Sequence, residues 1–114
     1  MMNWSNLNDT TEIPNLKKES DLQSVLIFKH STRCSISSTA LARLERNWEK
    51  LNPNTIKPYF LDLIKHRNLS NRIAEEFQVK HESPQVLLIK NNQCVHTASH
   101  LNISLEEIMR HAQE

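Results

Sequence analysis

The chain contains no glycine. Gly-rich phosphate loops and dinucleotide fingerprints are thereby excluded, since both need glycine where backbone approaches phosphate. Tight turns must draw on asparagine, the next residue most tolerant of positive φ. Asn91-Asn92 lies between two apolar segments and reads as a hairpin turn, and Asn52-Pro53-Asn54 as a helix stop. Charge of one sign is also missing: 14 Lys and Arg face 13 Asp and Glu, a formal +1. Without a dense basic run there is no electrostatic case for nucleic acid. No apolar run approaches the roughly 20 residues a membrane span needs. Met1-Met2-Asn3-Trp4-Ser5-Asn6 has neither a basic n-region nor an apolar h-region, so no signal peptide is expected. The two cysteines, Cys34 and Cys94, stand sixty positions apart and make no disulfide framework. The expectation is one domain, 1–114, reduced and cytoplasmic, with a single modest core.

What is present alternates between strand and helix patterns. Residues 4–7 are read as a short first strand. Residues 11–19 suit a short helix, capped by Thr10 or Thr11, with Pro14 in its first turn. Val25-Leu26-Ile27-Phe28-Lys29 is a continuous apolar run of strand length, as in a strand buried on both faces. From Ser35 the period changes: Ile36, Ala40, Leu41, Leu44, Trp48 and Leu51 form one helical stripe. Residues 56–64 read as a strand, and Leu69, Ile73, Ala74 and Phe77 mark a second amphipathic helix. Residues 85–90 and 93–97 flank the asparagine turn as an antiparallel pair. The last helix carries a capping box, Ser104 with Glu107, and a hydrophobic staple, Ile103 with Ile108. The order β-α-β-α-β-α-β-β-α calls for parallel pairing closed by a hairpin: an α/β protein with a central mixed sheet flanked by helices.

The chemistry gathers at Lys29-His30-Ser31-Thr32-Arg33-Cys34-Ser35-Ile36-Ser37. Cys34 falls where an apolar strand gives way to a helix, so the amides of Ile36 and Ser37 are expected to face its sulfur. A thiolate is favoured there by unpaired N–H groups, the helix dipole and nearby cations. Arg33, Lys29 and His30 supply cations in sequence; where their side chains point is not a matter of sequence. A lone cysteine beside a strand would by default be an inert core residue. Some fifty residues on, His81-Glu82-Ser83-Pro84-Gln85 places a proline directly before another apolar strand. A reactive cysteine followed by a strand-leading proline is the layout of a thioredoxin-like oxidoreductase. In that fold Ser83–Pro84 would be a cis-proline loop facing the active-site cysteine, its backbone open to pairing with substrate.

Three residues after Cys34, where a dithiol enzyme places its resolving cysteine, stands Ser37. Such a motif attacks a disulfide and keeps one half of it, and an external thiol must finish the cycle. Cys94 is either a distant resolving thiol or, as is commoner in a strand, a small core residue. Cys94 and His96, two apart, would share a strand face, but with His100 they make only three candidate ligands where a closed zinc site usually takes four. No metal site is expected. His81 and Glu82 are read as a solvated loop pair or as helpers in proton transfer or thiol recognition.

These two motifs together resemble the YtxJ-type monothiol bacilliredoxins, with the likeness running from about Trp4 to the end of the chain. The resemblance implies a thioredoxin fold and a role in removing bacillithiol from mixed disulfides on oxidised proteins. It makes Cys34 the nucleophile, Ser83 and Pro84 the cis-proline loop, and bacillithiol a co-substrate not tightly bound. Arg33, Ser37, Ser83 and Pro84 are the residues expected to hold the small thiol, and S-thiolated client proteins are the expected partners, without nucleic acid or membrane. Many members have proline after the cysteine, where this chain has Ser35. Two other readings of the same fold stay open: an iron–sulfur carrier of the monothiol glutaredoxin kind, and a binding module with a silent cysteine.

Overall fold

A computed structural model describes residues 3–113. Strands β1 (Ser5–Asn6), β2 (Ser24–His30), β3 (Ile56–Asp62), β4 (Gln85–Lys90) and β5 (Gln93–Ser99) form one sheet in the order β1-β3-β2-β4-β5. β1, β3 and β2 run parallel, while β4 and β5 are antiparallel to their neighbours. Helices α1 (Ile13–Glu19) and α3 (Arg67–Phe77) pack on one face, α2 (Ser35–Leu51) and α4 (Leu105–Ala112) on the other. Among the described residues no helix is long and apolar enough to cross a membrane.

β2 is the axis of the core, with all seven residues buried. Its even pleat sends Val25 and Ile27 towards Leu16, Leu69, Ile73 and Phe77, and sends Leu26 and Phe28 towards Leu44, Trp48 and Ile108. Trp4, just before β1, reaches over this second layer: it meets Phe28 and Phe60 edge-on or tilted and donates its indole N–H to Glu45 at 2.9 Å. The continuous apolar run of β2 thus reflects burial on both faces, as its composition implies.

Asparagine does take over glycine's work. Asn91 and Asn92 both have positive φ, 51° and 68°, the pattern of the tight hairpin turn whose twist suits paired strands. Asn52 ends α2 in the left-handed region at φ 46°. Gln78, which ends α3, and His100 sit there too, although neither has the short side chain that eases this conformation.

Local details differ from the sequence expectation in four places. The first helix is capped by Asp9, not Thr10 or Thr11: Asp9 accepts from Thr11 N–H while the Glu12 carboxylate takes the Asp9 and Asn8 N–H groups, and a 3₁₀ turn precedes Ile13. Strand β3 stops at Asp62, because Asp62 Oδ1 accepts the N–H groups of Ile64 and Lys65 and turns the chain. At α4 only half the capping box is present. Ser104 accepts the Glu107 N–H, but the Glu107 carboxylate has turned to Arg110 at 2.8 Å. Last, Ile89 pairs with Cys94 but Leu88 pairs with His96, so Val95 is an extra residue in the β4–β5 ladder. That bulge reverses the pleat, and Cys94 and His96 lie on opposite faces rather than the same one. Cys94 packs with Val79 against the α1/α3 layer, whereas His96 stacks on His111 of α4 at 4.3 Å.

Ile108 is fully buried in the second layer. Ile108→Ala is expected to cost about 3 kcal/mol of unfolding free energy, the usual sum of lost transfer energy and cavity. Urea denaturation checks this, and a loss under 1 kcal/mol would mean that α4 is not bearing on the core as described.

Candidate active site

The site is built where β2 ends and α2 begins. Cys34 is the N-cap of α2, extended at φ −114° and ψ 119°, half-buried, and its side chain makes no capping bond. Its backbone holds the turn instead: Cys34 N–H donates to Ser31 O, and Cys34 O accepts from Ser38 N–H. Ile36 and Ser37 are then the second and third helical residues, whose amides an N-cap side chain reaches. No acidic residue lies in the first turn to oppose a thiolate.

The two residues that close β2 part company. His30 turns to the α2 face. Its Nδ1 lies 2.7 Å from the Ser37 hydroxyl, and the ring packs beside Phe28 and Phe60. Burial lowers its pKa below the ordinary 6.5, with Asp62 and Glu45 pulling weakly the other way. Lys29 turns to the α3 face and is fully buried. Its ammonium donates to Ser70 O at 3.2 Å and lies 3.3 Å from His81 Nδ1. Neither side chain is spent on the cysteine. Arg33 is exposed and has no hydrogen-bond or ion-pair partner among the described residues.

Ser37 is fully buried. Its hydroxyl accepts Ser31 N–H at 3.1 Å besides meeting His30, so it ties the end of β2 to the first turn of α2. The position a dithiol enzyme gives to its second sulfur is a structural tie here. Cys94 is no substitute. It pairs with Ile89, which pairs with Val25, whereas Cys34 lies beyond His30 at the other end of β2. Five residues of strand separate those levels, about 16 Å, against the roughly 4–7 Å between Cα atoms that a disulfide allows. Burial also pushes the Cys94 thiol up. Among the described residues no group of three or more His, Cys, Asp or Glu could hold a metal ion.

The Ser83–Pro84 peptide bond is cis. The loop before it is shaped by Gln85, buried and directly opposite Lys29 in the β2–β4 ladder. Gln85 donates to Lys80 O at 2.9 Å and accepts from Glu82 N–H at 3.3 Å, folding the loop back on its own strand. Pro84 O takes the N–H of His100, so the end of β5 is held to the same loop. The Ser83 hydroxyl is buried without a partner. Because β2 and β4 are paired, this loop and the Cys34 loop leave the same end of neighbouring strands.

A cavity of about 150 Å³ adjoins the cysteine turn, lined by Ser35, Ile36, Thr39, Ala40, His100 and Leu101. Ile36 is 44% exposed and Leu101 75%, an apolar lip to this cavity. A larger hollow, about 530 Å³, lies between the residues after β1 and the start of α3. Neither lining includes Cys34, Ser83 or Pro84, but the smaller begins at Ser35, directly after the cysteine. Ser70, Gln85 and the Leu101 lip were absent from the sequence reading; of these only Gln85, polar at the head of an apolar strand, left a signal.

Burial brings Lys29 from 10.5 down to about 8. Between those values the unfolded chain holds a proton that the folded chain has lost, so stability rises with pH across this window. Below pH 8 the cost of the buried ammonium is present in full. Lys29→Met lacks the titration, so its stability relative to wild type should fall by up to about 3 kcal/mol between pH 8 and 10.5. Urea denaturation at several pH values checks this, and a constant difference would contradict it.

The family defined as monothiol bacilliredoxin BrxC matches residues 5–108. Among solved structures, one provisionally assigned as an oxidoreductase with a thioredoxin fold superposes with a TM-score of 0.80. It is 28% identical, over 96% of this chain and 92% of that one. A thioredoxin of Malassezia sympodialis gives 0.76 at 16% identity over 98% and 93%, and that of Fasciola hepatica 0.71 at 17% over 93% and 97%. The latter two support the fold alone. With a thioredoxin fold, and a match over nearly its whole length, the chain belongs to the monothiol bacilliredoxin family, a family of thiol oxidoreductases.

Proposed function

We propose that this protein removes bacillithiol from mixed disulfides on oxidised client proteins, in the cytoplasm, through Cys34 alone. The observation that carries the monothiol part is the fate of the two candidate second groups. Ser37 is buried in a tie to His30 and Ser31, and Cys94 lies at the far end of the sheet. Family membership supports bacillithiol as the small thiol.

The cycle uses two exchanges. The Cys34 thiolate attacks the bacillithiol sulfur of the client disulfide; the Cys34–bacillithiol S–S bond forms and the client leaves as thiolate, to be protonated by water. A second bacillithiol thiolate then attacks the bacillithiol sulfur of that adduct. Oxidised bacillithiol departs, and the Cys34 thiolate is restored. The first-turn amides of α2 offer hydrogen bonds to the Cys34 sulfur in its anionic form. Arg33 stands exposed beside it as a cation for the incoming thiol. The cis-proline loop leaves the same end of the sheet as the cysteine loop and offers the Ser83 backbone and Pro84 to the adduct, while Ile36 and Leu101 offer an apolar seat to client side chains. Ser37 serves the small thiol indirectly, by holding the turn.

Intact-mass spectrometry of the reduced protein mixed with a bacillithiolated client tests this directly. One bacillithiol should appear on the chain as the client is released, Cys34→Ser should acquire none, and Cys94→Ser should transfer at a rate within about twofold of wild type. Transfer from a glutathionylated client alone would change the co-substrate. No adduct from either would sink the reading and favour a fold kept for binding or cluster carriage.

A further inference from the structure

Lys29 and His81 meet in a partly buried corner beside α3, two residues before the cis-proline loop. The Lys29 ammonium lies 3.3 Å from His81 Nδ1, and the Ser70 hydroxyl lies 3.3 Å from the same nitrogen. An ammonium has hydrogens to donate and no lone pair to accept with, so Nδ1 must be the acceptor. The ring proton of a neutral His81 is then on Nε2. Burial first, then the charges of Lys29 and Arg67, hold His81 below its ordinary 6.5 against the opposing pull of Glu82. The ring is therefore neutral at pH 7. Among the described residues no protein acceptor meets its Nε2.

The Ser83 hydroxyl, two residues on, is also unpaired, and it is buried. One short loop thus carries two polar groups without protein partners, next to the loop of Cys34. Cations surround this end of the sheet in the same condition. Arg33, Lys65, Arg67 and Lys80 have no ion-pair partner among the described residues. Farther off, Lys17, Lys57 and Arg110 are matched to Glu76, Glu19 and Glu107, while Lys18, Arg46, Lys50 and Arg72 also have no ion-pair partner among the described residues. Unpaired donors and a surplus of positive charge suit an anionic acceptor.

We propose that Lys29 positions His81 as the neutral Nε2–H tautomer, and that this N–H binds a carboxylate on the small-thiol half of the mixed disulfide. The inference rests on the reading of Cys34 as the thiol-transfer residue. It assigns the buried lysine a positioning role and His81 a binding one.

Two readouts on the full chain test it. Long-range ¹H–¹⁵N correlation at pH 7 should show His81 protonated on Nε2, and Lys29→Met should shift the ring to a mixture of tautomers. A merely structural lysine would change stability and leave the tautomer alone. In steady-state transfer from a bacillithiolated peptide, His81→Ala should raise KM about tenfold, one charge-assisted hydrogen bond, with kcat nearly unchanged. His81→Gln, which keeps an N–H donor at similar reach, should recover most of that. The rate of Cys34 alkylation by iodoacetamide should not move. With a peptide thiolated by cysteamine, which has no carboxylate, His81→Ala should leave KM as it was. An Nδ1–H ring in wild type, or an unaltered tautomer in Lys29→Met, overturns the positioning role. An unchanged KM in His81→Ala, or an equal rise with cysteamine, overturns carboxylate binding. If wild type transfers no thiol at all, the functional reading and the binding half fall together, and the tautomer still decides the lysine's part.

Discussion

Strand β2 is hydrogen-bonded on both edges and covered on both faces, and the geometry of the site follows from that confinement. A strand held so tightly has no freedom to twist its last residues, so the pleat dictates that Lys29 and His30 leave in opposite directions. One becomes the tie to the cysteine helix, through Ser37. The other becomes the tie to α3 and the proline loop, through Ser70 and His81. Two adjacent polar residues in an apolar strand thus fasten the two loops between which Cys34 works. Burying an ammonium has a cost that burying a methionine would not.

The same ties give the single-thiol chemistry its physical basis. A second sulfur at residue 37 would have to replace a hydroxyl that is bonded to a ring nitrogen and a backbone amide at once. A serine suits that place because it donates and accepts with a short side chain. With Cys94 held at the opposite end of the sheet, a mixed disulfide on Cys34 has no thiol within the fold to resolve it. In the proposed cycle an external thiol completes the exchange, and the apolar lip and the cationic surroundings are what such a partner would encounter.

A chain without glycine must place other residues in the left-handed region, and it does so at helix ends and turns. Among the described residues asparagine fills three of the five positive-φ positions, where its short side chain lowers the strain. His100 is the informative exception. It takes that conformation at the end of β5, its N–H bonded to Pro84 O, where the chain bends over the proline loop and sets Leu101 beside α2. A bulky residue in this region is held by its surroundings, and here the surroundings are the site.

Much of this was legible in residue order. The both-faces burial of β2, the helix stripe after Ser35, the asparagine turn, the closing hairpin and the placing of Cys34 at a helix start all follow from local periodicity, capping and spacing, which act over a few residues. The pairing of Cys34 with Ser83–Pro84 pointed to the family for the same reason. Tertiary structure decided what local rules do not reach. Whether Cys94 and His96 share a face turned on one extra residue, Val95, set by pairing with a distant strand. Whether Lys29 faces the sulfur turned on which layer each side of β2 meets. The partner of Ser37 lies seven residues back and that of Lys29 forty-one residues on, brought together only by packing. Sequence by itself determined the elements and the place of Cys34 at the start of a helix. The hydrogen bonds that fasten the turn of Cys34, and hold the loop beside it, exist only once the sheet has closed, because each joins residues that no local preference brings together.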